Sequence, residues 1–119
     1  MKKHTVTKMI PGLAVFILAL AVMLPAHGPK SIKMSFVKDS GELKVTVRHP
    51  VKNTSRHYIK RIRVLVNDQK VIDNRYEKQT APEIHTARFS LKSIRSGDLI
   101  VVKATCNRFG GKKAKITVQ

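Results

Sequence analysis

The stretch Leu43-Lys44-Val45-Thr46-Val47-Arg48-His49-Pro50 decides the fold. Apolar and polar residues alternate from Leu43 to Arg48, the period-two signature of a strand with one buried face. Val and Thr are β-branched and suit a pleated, half-buried surface. The strand delivers His49 at its end, and Pro50 stops it because proline has no N–H to give to a ladder. Lys52-Asn53-Thr54-Ser55 then makes a polar loop of turn formers. A second histidine, His57, leads through Tyr58 into the next strand-like run.

The same pattern repeats on both sides. Residues 32–37 alternate before the Lys38-Asp39-Ser40-Gly41 turn. Residues 58–66 form a longer run in which Ile62, Val64 and Val66 share a face. Asn67-Asp68 predicts a hairpin turn, with residues 70–76 returning. A polar stretch holding Pro82 leads into residues 84–91, and Ser93-Ile94-Arg95 reads as a helical turn. Ser96-Gly97-Asp98 turns the chain into the run 99–105, which ends at Cys106. Gly110-Gly111 makes another turn, and residues 113–118 close the chain with Ala114, Ile116 and Val118 on one face. About seven short strands with regular turns and no amphipathic helix predict an all-β, immunoglobulin-like sandwich.

A hydrophobic helix precedes it. Lys2, Lys3 and Lys8 form a basic start, residues 13–24 an apolar run, and Ala26 a small residue suited to precede a cleaved bond. Residues 1–26 read as a secretory signal peptide and 27–119 as one exported domain in the periplasm or another extracytoplasmic space. The alternative is an uncleaved anchor over residues 10–26. Apart from that segment nothing calls for a membrane.

The chain carries 24 Lys+Arg against 7 Asp+Glu, a formal charge of +17. Removing residues 1–26 takes three lysines and no acids, leaving 21 against 7, or +14. Such a charge draws in anions. The basic residues are spread along the chain, only 5% of residues are aromatic, and there is no Trp. That argues against nucleic acid, which calls for a basic cluster and stacking aromatics. Lys60, Arg61 and Arg63 read as a solvated strand face. A single cysteine, Cys106, permits no internal disulfide.

Cys106 sits where a strand gives way to a loop, a place for a thiolate to ligate a metal or react. The alternative is a small core residue, common for free Cys. His49 and His57 flank a loop of the same small β domain. Two imidazoles and a thiolate on neighbouring loops make a candidate mononuclear iron site.

Three stretches carry a family resemblance. They are His49-Pro50 with a polar loop and His57-Tyr58-Ile59; Ser90-Leu91-Lys92 with a basic linker to Gly97; and Cys106-Asn107-Arg108-Phe109-Gly110. Over roughly residues 41–119 the chain resembles the iron-binding domain of the desulfoferrodoxin and superoxide reductase family. The resemblance implies an immunoglobulin-like fold and a non-haem ferrous site with four histidine nitrogens and an axial thiolate. It implies one-electron reduction of superoxide to hydrogen peroxide, fed by a redox donor protein that the sequence does not identify. His49 and His57 match two of the histidine ligands and Cys106 the thiolate.

The chain departs from the family at three points. Phe109 stands where the family has a third histidine of the set, and the loop from His49 to His57 is two residues longer. His27-Gly28-Pro29 only loosely echoes the family's N-terminal histidine. Cleavage after Ala26 would make His27 the first residue, able to chelate a metal, copper included, through amine and imidazole. His85 matches no ligand and reads as a strand surface residue; the alternative is that it substitutes for the lost ligand, should its loop approach the site. The alternative reading is a non-catalytic immunoglobulin-like binding or carrier module, resembling the small carrier subunits of thiosulfate oxidation.

Overall fold

The structure is a computed structural model and describes residues 28–119. The expected signal segment, the anchor alternative and His27 lie outside the described residues. Within them the chain is all-β, with seven strands: β1 Ser31–Val37, β2 Glu42–Arg48, β3 Ile59–Val66, β4 Gln69–Arg75, β5 Ile84–Ser90, β6 Leu99–Cys106 and β7 Gly111–Thr117. They form two antiparallel sheets, β1-β2-β5 and β4-β3-β6-β7. Among the described residues no helix is long and apolar enough to cross a membrane.

Alternation sets the faces. In β2, Leu43, Val45 and Val47 are fully buried. In the second sheet Ile62 and Val64 of β3 and Ile100, Val102 and Ala104 of β6 are buried likewise. These residues belong to one cluster together with Phe89 and Leu91 from the β5 side, so the two sheets share a core. Each fully buried Val, Leu or Ile contributes about 1.5–3 kcal/mol of transfer free energy. Val66, expected on the face of Ile62 and Val64, is half-buried where β3 leaves the core.

The turns follow their residues. Asn67 and Asp68 both take positive φ, 50° and 69°, the left-handed pair that a two-residue hairpin requires. Ser93-Ile94-Arg95 forms no helical turn. Ser93 has φ 61°, and the Arg95 N–H donates to Asp98 Oδ2 instead. The β6–β7 turn also differs from a Gly-Gly turn. Gly110 takes φ 77°, while Gly111 already begins β7. On the outer face of β3, Lys60 is exposed but Arg61 and Arg63 are half-buried. Arg61 grips Asp73 through two hydrogen bonds of 2.8 and 2.7 Å, so that face is structured rather than simply solvated.

Register brings the candidate residues to one end. Arg48 of β2 pairs with Ile84 of β5, and Ile59 of β3 pairs with Cys106 of β6. The connections 49–58 and 76–83 and the turn 107–110 therefore leave the sheets on the same side. β3 begins with a bulge: Ile59 pairs with Cys106, Arg61 with Thr105, and Lys60 has no partner on β6. Its carbonyl accepts from the Tyr76 N–H at 2.9 Å. The extra residue lets Ile59 and Ile62 both face the core and re-aims the chain before them.

Candidate metal centre

His49 follows β2 directly, and its N–H donates to Glu83 O at 3.0 Å. Its ring is 1% exposed. Nδ1 lies 2.8 Å from Gln79 Oε1. Nε2, on the other side of the ring, is buried and has no hydrogen-bond partner.

His57 arrives from a loop built by Asn53. Its side-chain oxygen accepts from the Ser55 N–H at 2.9 Å, an Asx turn. Its carbonyl accepts from the Arg56 and His57 N–H groups at 3.1 and 3.0 Å. The loop tightens by local hydrogen bonding and returns the chain toward β3. The His49 and His57 rings meet edge to face, centroids 4.7 Å apart at 89°.

Cys106 ends β6 and is 3% exposed. Its Sγ lies 3.2 Å from His57 Nε2 and accepts from the Arg108 N–H at 3.4 Å. Asn107 ties the two loops together. Its Oδ1 accepts from the Tyr58 N–H at 2.8 Å, and its Nδ2 donates to Arg56 O at 3.0 Å. Its own N–H donates to Tyr58 O at 3.0 Å.

The structure thus brings His49, His57 and Cys106 together, with one donor atom from each lying within 4.8 Å of the others. A metal with bonds of about 2.0–2.3 Å spans at most about 4–4.6 Å between two ligands, so a small closure of the loops would bring the three donors within reach of one ion. The donor set of two imidazoles and a thiolate suits a transition metal. The buried, unpartnered Nε2 of His49 suits it too, because an orphaned lone pair is costly unless a ligand takes it.

Phe109 brings no donor and stands 62% exposed at the rim. Gly28 lies against the same turn: a Cβ built on it would meet Phe109 O at 3.0 Å and Gly110 C at 3.4 Å. His27 immediately precedes that glycine and lies outside the described residues.

Sequence reasoning misplaced His85 and missed Gln79. His85 is 1% exposed, not a surface residue. It pairs with Val47 and shares the inward face of β5 with Ala87 and Phe89. That parity was present in the sequence. Burial first, and the nearby His49 second, hold its pKa below the usual histidine value. The Tyr76 ring packs on it edge-on at 4.5 Å. Gln79 lies in an irregular polar stretch with no pattern that could have marked it.

No protein family, no curated protein and no solved structure matches this chain.

Proposed function

We propose that residues 27–119 are an exported, immunoglobulin-like sandwich of desulfoferrodoxin type that binds one non-haem iron ion through His49, His57 and Cys106. Residues 1–26 direct its export to the periplasm. His27, which lies outside the described residues, or water would fill the position that Phe109 leaves empty. The observation that carries the reading is the donor triad, gathered from the two ends of the 49–58 connection and the last residue of β6, with His49 Nε2 buried and otherwise unpartnered.

A ferrous ion held there would supply one electron to superoxide, which takes two protons and leaves as hydrogen peroxide. The protein's residues prepare for this in three ways. Cys106 as thiolate would donate electron density to the ion. The His49 and His57 imidazoles, as neutral ligands, would hold the cation without cancelling its charge. The excess of 21 basic over 7 acidic residues in 27–119 gathers the small anion from solution. A separate redox protein would return the electron.

Metal analysis after purification, and uptake of Fe(II) under reducing anaerobic conditions, test the reading. The expected result is one iron per chain and a visible sulfur-to-iron charge-transfer band in the ferric form. Cys106→Ser should abolish the band, and His49→Ala or His57→Ala should lower iron content. Phe109→His should raise occupancy and superoxide reduction. Absence of iron uptake by the wild type, with no gain from Phe109→His, would overturn it. Cys106 would then belong to the core of a carrier or binding module, with any family likeness confined to fold.

A further inference from the structure

The amide of Gln79 is buried, 3% exposed, and every one of its polar atoms is committed. Its Nε2 donates to two backbone carbonyls, His49 O at 2.7 Å and Ala81 O at 3.0 Å. Carbonyls only accept and an amide nitrogen only donates. Flipping the amide would set its oxygen against both carbonyls, so its orientation is fixed by the backbone. Oε1 must therefore face His49 Nδ1, 2.8 Å away. An oxygen that only accepts requires a proton on Nδ1. The neutral imidazole then carries its lone pair on Nε2, the buried atom with no partner.

The placement is reinforced from the backbone. The Gln79 N–H donates to Thr54 O at 3.0 Å, within the loop that leads to His57. One residue from the 76–83 connection thus holds the backbone and ring of one candidate ligand and the loop of the other. Hydrogen bonding to the far nitrogen of a ligating histidine fixes both tautomer and ring orientation.

We propose that Gln79 is a positioning residue that locks His49 in the Nδ1–H tautomer and so presents Nε2 as a metal-ready donor. As a statement about metal binding it rests on the reading given above; as a statement about the tautomer it does not.

Gln79→Leu, read together with the wild-type tautomer, separates positioning from a merely structural role, because it removes acceptor and donors together. Nitrogen-15 NMR of the metal-free protein reads the His49 tautomer directly. The expected result is Nδ1–H in the wild type, lost or mixed in Gln79→Leu. Zinc and Fe(II) titrations should show affinity about 10–100-fold weaker in Gln79→Leu. A wild-type His49 protonated on Nε2 alone, or a Gln79→Leu protein with an unchanged tautomer, overturns the proposal. The wild-type tautomer is decisive if Gln79→Leu fails to fold. If the wild type takes up neither metal, the metal reading falls, and the tautomer measurement still decides the role of Gln79.

Discussion

Asn107→Ala should loosen the joint between the two ligand loops while leaving the sheets intact. Asn107 follows Cys106, and its side chain reaches the residues on either side of His57: the Tyr58 N–H at 2.8 Å and Arg56 O at 3.0 Å. Truncation removes both bonds. Arg56 O keeps a second donor, Arg108 Nε at 3.3 Å, so its loss is partly covered. The Tyr58 N–H has no such substitute among its hydrogen bonds. A net hydrogen bond contributes about 0.5–1.5 kcal/mol, and an unsatisfied, partly buried donor costs about 1–3 kcal/mol. Together the expected loss is about 1.5–4.5 kcal/mol, toward the lower end because Arg56 O stays bonded, and each kcal/mol lowers Tm by roughly 4–8 °C for a domain of this size.

Urea unfolding of the metal-free protein measures that loss, and the rate of Cys106 alkylation measures the loosening. Cys106 is buried and held beside His57 at 3.2 Å, so the wild-type thiol should react slowly. Asn107→Ala should speed alkylation several-fold. Asn107→Asp keeps the acceptor for Tyr58 but loses the donor to Arg56, so its cost should be intermediate. The reasoning is refuted if Asn107→Ala stays within about 0.5 kcal/mol of wild type and its thiol reacts no faster.

Other positions give independent expectations. His85 is buried with its pKa lowered, chiefly by burial and secondarily by His49. Its neutral form supports the fold fully above the ordinary histidine pKa of about 6.5, and that support fades as pH falls toward the lower folded value. Denaturation midpoints from pH 7.5 to 5 should fall in the wild type and less steeply in His85→Phe; equal slopes would mean His85 is not the group. Gly41 has φ 75°, and a Cβ there would come within 2.5 Å of Leu91 O, whose own N–H donates to Gly41 O. Gly41→Ala should therefore cost about 1–3 kcal/mol by calorimetry, and an unchanged Tm would contradict it.

The strands were legible because their faces differ. Leu43-Lys44-Val45-Thr46-Val47 states its buried side in every second residue, and Asn67-Asp68 states its hairpin in the only backbone that suits it. Ser93-Ile94-Arg95 misled because three residues cannot reveal periodicity, and Asp98 captured the Arg95 N–H instead. His49, His57 and Cys106 could be picked out by residue type and position at strand ends. Their mutual distance could not, because it depends on the pairing of Arg48 with Ile84 and of Ile59 with Cys106. His85 was misread although its parity matched Ala87 and Phe89, because a polar residue in an inward position is easily assigned to the surface. Gln79 carried no local signal at all: its role exists only once residues 30 apart have met.

That dependence has a physical consequence. His49 extends from the sheet β1-β2-β5, whereas His57 and Cys106 border β3 and β6 of the other sheet. Gln79 comes from the connection that returns the chain from β4 to β5. No single hairpin contains the triad, so its donors gather only when both sheets have closed on their common core. Any ion taken by the gathered donors and not by the open chain would add to stability by mass action, about 2.7 kcal/mol at one hundred times its dissociation constant. The strain of holding an unpartnered His49 Nε2 in the interior acts in the opposite direction in the metal-free protein. The same atom therefore sets both the cost of the empty arrangement and the gain on filling it. His49→Phe, which removes the orphaned nitrogen but keeps a ring in its place, separates the two effects by abolishing metal-dependent stabilisation while costing the metal-free protein less than a cavity-forming change would.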